Sequence, residues 1–195
     1  MQTFQYSHPL FQQSLDDLNQ FHHFEQQIQQ LSENIRVNLA DFEIDHLAIR
    51  TNKLEESQYW LTLLLKYGTI LSDNKVNGRP IYLIELHTPL SFLGHKVSII
   101  ELPFPKDKCY PFVGWEHIEI IVPFLKDETT ENWLQRVMEH FSLNCLTNIQ
   151  IKISEPKVEG EQLANPSIAM SFLDKSQNGT CIKIHPYNIK KIIEV

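Results

Sequence analysis

The apolar residues of this chain change period several times, and the changes mark out its elements. Between positions 10 and 37, Leu15, Leu18, Phe21, Phe24, Ile28, Leu31 and Ile35 recur every three or four residues, separated by Gln, Asp, Glu and Asn. That is the period of a helix with one buried face, and Ser14 followed by Asp16 and Asp17 offers it a start. Alternation then takes over. Residues 42–51, "FEIDHLAIRT", predict a strand, and 55–68 a helix with Trp60, Leu64 and Tyr67 on one side and Gly68 as its stop. Residues 69–76, 80–88 and 95–103 predict three more strands, the first two joined by a turn at "NGR", 77–79. After a proline-bearing connector the order recurs. A strand is expected at 115–124, a helix at 131–141 with Leu134, Val137, Met138 and Phe141 at core spacing, and strands at 148–154, 167–174 and 180–187.

The expected fold is α+β. A helical arm (1–41) precedes a βαβββ module (42–103), a connector (104–114), a second βαβββ module (115–187) and a short tail (188–195), all in one compact domain. A repeated phrase supports the duplication. "DHLAI" (45–49) and "EHIEI" (116–120) each set a histidine between an acid and an apolar residue, and His46 and His117 lie 71 residues apart (117 less 46).

Strand side chains alternate between faces. Leu47 and Ile49 share one face of the first strand, while His46, Ala48 and Arg50 share the other. In the equivalent strand Ile118, Ile120 and Val122 lie opposite His117, Glu119 and Ile121. The apolar faces should pack on helices, so both histidines should line a cleft. By the same parity Asp45 and Glu116 fall on the helix side, as strand-edge or surface acids. Glu101 interrupts an apolar strand near its end, where a carboxylate is costly without a cation or donors. Two imidazoles and one carboxylate form a facial set for Fe(II), Mn(II) or Zn(II), with positions left for substrate.

Composition narrows the function classes. With 42% hydrophobic residues in 195, the chain suits a globular domain, and no apolar run approaches the roughly 20 residues of a membrane helix. Net charge is −7, and the short "KDKCY" and "IKKII" stretches are poor nucleic-acid surfaces, so the expected partner is a small molecule. The N-terminal sequence has no basic and apolar leader pattern, and Cys109, Cys145 and Cys181 are scattered, so a cytoplasmic location is expected.

The paired strand histidines, the strand glutamate and the duplicated βαβββ order resemble the vicinal oxygen chelate superfamily of glyoxalase-like isomerases, extradiol dioxygenases, epimerases and metal-free binding proteins. The longer phrases "NGRPIYLIELHTPL", "ELPFPKDKCYPFVGWEHIEI" and "IKIHPYNI" resemble more specifically the YecM family, across most of the chain including the arm. The resemblance implies two modules forming a glyoxalase/dioxygenase-like pair of curved sheets. It also implies one divalent ion (Zn, Fe, Mn or Ni) held between them by His46, Glu101 and His117. The activity implied is isomerase- or oxygenase-like, on a small molecule with adjacent oxygens; a non-catalytic binding protein on the same fold is the alternative.

Glyoxalase-like members carry a second carboxylate on the last strand of module two, where this chain reads "CIKIHPY". Either His185 supplies a fourth ligand, or Lys183 lies in the pocket as an acid/base or anion anchor, whose pKa a metal close to it would lower. Glu119 is a candidate catalytic base or a support for His117. Arg50, Arg79 and Tyr82 are candidate substrate-binding residues, and Glu85 with His87 a second possible pair. The helical arm, finally, is a conceivable docking surface.

Overall fold

A computed structural model describes residues 8–12, 14–76, 78–155 and 163–193. The first seven residues of the arm, Asn77 of the expected turn and the last two residues of the tail lie outside these. Helix α1 (Leu15–Asn34) is capped by the Ser14 hydroxyl, which accepts from the Asp17 amide at 3.1 Å. It is followed by β1 (Ile44–Arg50), α2 (Leu54–Leu65), β2 (Gly68–Ser72), β3 (Lys75–Val76), β4 (Arg79–Phe92) and β5 (His95–Pro103). The second half runs β6 (Gly114–Ile121), α3 (Thr130–His140), β7 (Ile149–Ser154), β8 (Ser167–Phe172), β9 (Cys181–His185) and α4 (Ile189–Ile193).

The strands form one open, curved sheet in the order β2-β4-β5-β1-β6-β9-β8-β7, with β3 beside β4. The order reads as two copies meeting at the centre. In each half the histidine strand runs parallel to the last strand (β1 with β5, β6 with β9), and β1 and β6 pair antiparallel. The sheets expected as a pair are thus continuous through the two histidine strands.

The expected strand at 69–76 is divided, because Asp73 and Asn74 interrupt the ladder to β4 between β2 and β3. Strand β4 extends past Pro89 to Phe92, after a bulge between Glu85 and Leu90, and turns back through Leu93 and Gly94, both at positive φ. Gly68 is not the helix stop expected of it. It opens β2, and a Cβ there would lie 2.5 Å from the Glu85 carbonyl oxygen, so only glycine lets β2 approach β4.

Helix α1 is not set apart from the sheet. It packs on β6 and β9, with Phe21, Phe24, Ile28 and Leu31 buried. Phe21 and Phe24 both contact the rings of Phe92 on β4 and Trp115 on β6, and Trp115 also meets Trp60 of α2. The apolar stripe of the helix is covered by the chain's own core. The helix layer takes one face of the sheet, leaving the histidine face open as a cleft.

Candidate metal centre

Alternation fails at two positions, and both failures build the site. Along the β1–β6 ladder Ile44 pairs with Ile120 but His46 with Glu119, so Asp45 is an extra residue on β1. Ala48 pairs with His117 but Ile49 with Trp115, so Glu116 is the extra residue on β6. A β-bulge re-aims the side chain it carries. Asp45 and Glu116, assigned by parity to the helix side, are both well buried beside the histidines. Asp45 Oδ2 lies 2.8 Å from His46 Nδ1, and Glu116 Oε2 takes the same place at His117 Nδ1.

An ionised carboxylate only accepts, so each Nδ1 donates and each neutral imidazole presents a bare Nε2. Both Nε2 atoms are buried and have no hydrogen-bond partner among the described residues. They converge on two carboxylates. His46 Nε2 lies 3.6 Å from Glu101 and 3.5 Å from Glu119, and His117 Nε2 lies 3.7 Å and 3.5 Å from the same two. These separations exceed a hydrogen bond. One donor atom from each of the four residues lies within 4.8 Å of the others. Unpartnered imidazole nitrogens, fixed from behind by carboxylates and facing two further carboxylates, fit a divalent cation.

The strand register explains the remaining residues. If His46 matches His117, the pairing of Ala48 with Glu101 matches that of Glu119 with Lys183. Lys183 therefore occupies the counterpart of Glu101, where relatives were expected to keep an acid. The second carboxylate comes instead from Glu119, whose counterpart is Ala48. Lys183 Nζ donates to Glu119 Oε1 at 2.9 Å. His185 stands further along β9, its Nδ1 3.2 Å from Asn165 Oδ1 and its Nε2 3.1 Å from Glu119 Oε2, outside the four-residue group.

Charge follows this geometry. Burial opposes ionisation of Glu101, but the Lys183 ammonium and the two histidines hold it at about 2. Burial opposes Glu116 too, and His117 and Arg50 hold it at about 2. Glu119 is also lowered against burial, chiefly by His185 and Lys183. His46 is raised well above the ordinary imidazole value, because Glu119, Asp45 and Glu101 outweigh its burial. For His117, burial and Lys183 push down, while Glu116 and Glu119 prevail and raise it. In the metal-free site Lys183 is raised despite burial, since Glu119, Glu101 and Glu116 surround it. Burial pushes the Cys181 thiol up to about 12, which keeps it protonated near neutrality in the metal-free site.

Of the expected substrate residues, Arg50 is committed to Glu116 and lies 4.0 Å over the Tyr110 ring. Arg79 lines the cleft. Tyr82 does not. Ile81 and Leu83 take the cleft side of β4, and Tyr82 packs on Phe104 across the sheet, ring centroids 5.0 Å apart. Glu85 pairs with Lys190 at 2.6 Å and His87 is exposed, so they form no second site. The signal for Asp45 and Glu116 was the repeated acid before each histidine, which alternation discarded.

Fold and site together define a class: a duplicated α+β protein with one curved sheet and a buried histidine–carboxylate group where its halves meet. Within that class the assignment is specific. The family model described as YecM protein matches residues 13–195, and the chain belongs to the YecM family. It is 56% identical over 170 residues to an uncharacterised protein of Haemophilus influenzae, covering 87% of this chain and 88% of that one. It is 35% identical over 185 residues to Protein YecM of Escherichia coli, covering 93% and 95%. A solved structure titled Protein EC4020 superposes with a TM-score of 0.75 at 31% identity, over 92% of this chain and 90% of that one.

Proposed function

We propose that this protein is a metal-dependent enzyme that binds one divalent ion, of Zn, Fe, Mn or Ni, and acts on a small molecule with adjacent oxygens. The observation that carries the reading is the pair of buried, unpartnered Nε2 atoms of His46 and His117 facing Glu101 and Glu119. Glu119 replaces His185 in the expected ligand set, because its carboxylate joins the converging group while His185 bears on Glu119 itself. A divalent ion at this position supplies Lewis-acid polarisation of a bound oxygen.

The chain's own residues do the rest. Asp45 and Glu116 fix the histidine rings. Lys183 is an ammonium, so it anchors negative charge developing on a bound oxygen and does not act as a base. Glu119, held ionised by its neighbours, is a weak base, which leaves His185 at the cleft edge to exchange a proton with substrate.

Elemental analysis of untagged protein purified without chelators tests the reading, with one equivalent of metal expected. Glu119→Gln should weaken binding by more than tenfold, roughly the ~1.4 kcal/mol of one decade. His185→Ala should keep the stoichiometry. Full metal content in a His46→Ala, His117→Ala double variant would overturn the ligand set.

A further inference from the structure

The charges around the cleft do not balance, and the imbalance identifies a ligand. Asp45, Glu101, Glu116 and Glu119 contribute four negative charges at the site. Arg50 is paired with Glu116 and Lys183 with Glu119, which answers two of them, and a divalent ion answers the other two. Arg79 remains. It is half-buried and makes no ion pair or hydrogen bond among the described residues.

Its position is informative. Arg79 lines a recess of about 90 Å³ together with Glu101, His117, Arg50 and Lys183. It also lines the wider cleft of about 340 Å³, which shares Arg50, Glu101 and Lys183 with this recess. The recess is about three times the volume that one water occupies in the liquid, ~30 Å³, which suits a carboxylate-sized group beside the metal-ligand residues. The wider cleft is walled by Ile81, Leu83, Ala169, Ile189 and Ile192. Lys152, also at the cleft, is exposed and its charge is screened by solvent. One uncompensated, sheltered cation calls for a monoanion. A phosphate dianion would leave a net negative charge against Glu101 and Glu119.

We propose that the ligand of this site is a 2-oxo- or 2-hydroxycarboxylic acid with an apolar body. Arg79 holds its carboxylate in the small recess, its adjacent oxygen faces the four-residue group, and its body lies along the isoleucine wall. The inference rests on the metal reading above. A planar guanidinium matches a carboxylate by two parallel N–H donations, which a point-charge ammonium does not reproduce.

The test uses full-length protein loaded with Co(II), whose visible spectrum reports ligands entering the metal's shell. Three probes of one shape are titrated: 4-methyl-2-oxopentanoate, its neutral amide, and 4-methylpentanoate, which lacks the second oxygen. The oxo acid should bind at least tenfold more tightly than either of the others. Arg79→Gln should abolish its advantage over the amide with Co(II) content unchanged, and Arg79→Lys should restore part of it. Thermal melts establish that both variants fold. Equal binding of oxo acid and amide, or an advantage that survives Arg79→Gln, overturns the inference while the metal reading stands. Failure of the wild-type protein to take up Co(II) overturns both.

Discussion

His46 has a proton to lose before its Nε2 can bind a metal. Burial disfavours the charged ring, but Glu119, Asp45 and Glu101 outweigh it and raise its pKa well above 6.5. His117 is raised as well. Metal ligation needs the neutral ring, so uptake near neutrality must release protons, and affinity should rise with pH until the raised values are passed. Calorimetric titration at pH 7 in buffers of different ionisation enthalpy should show net proton release. A metal affinity flat between pH 6 and 8 would contradict this. His46, His117 and Glu101 were legible in the sequence, because each is a polar residue interrupting an apolar strand pattern. The roles of Asp45 and Glu116 were not, since alternation sends a neighbour to the opposite face and only a bulge brings it back. Lys183 was placed on the correct face, but its pairing with Glu119 was not foreseen. Its environment is set by Glu119 and Glu101, which are remote in sequence.

Among the elements, α1 shows the same division. Its period and its Ser14 cap could be read from the chain; its partners could not, because a stripe of Phe and Ile does not say what it lies on. Phe24 is buried against Phe92 of one half and Trp115 of the other. Phe24→Ala should therefore cost ~3–5 kcal/mol, measured as a lower urea midpoint with little change in slope. A loss below ~1 kcal/mol would mean that the helix is peripheral after all. The strand boundaries that shifted have local causes of the same kind. Gly68 serves the close approach of β2 to β4, and Asp73 with Asn74 divides a strand that composition alone runs together.

For the molecule as a whole, the four-residue group spans the two halves. Glu101 comes from one half and Glu119 from the other, so an ion there would cross-link β1 and β5 to β6. Without metal, the raised His46 and His117 contribute stability that is present below the unfolded imidazole pKa and lost as pH climbs through their folded values. Glu101 and Glu116, at about 2, contribute stability that is present above the ordinary carboxylate range and lost as pH falls toward 2. The melting temperature of metal-free protein should therefore drop as pH rises above the ordinary imidazole range, and stoichiometric Zn(II) should remove most of that drop. Parallel alkaline declines with and without metal would show that the ion does not join the halves.

The register that sets Lys183 opposite Glu101 has a stereochemical consequence. His46 and His117 are related by a near two-fold axis running through the site, and around a perfect axis the two ends of a bound ligand are interchangeable. Here one end meets a carboxylate and the other an ammonium. A ligand bound across the axis would meet opposite charges at its two ends, so its two orientations would differ in energy. The exchange of an acid for a base between two copies of the same strand, together with Glu119 where the other half has Ala48, thus removes the equivalence of the pocket's two ends.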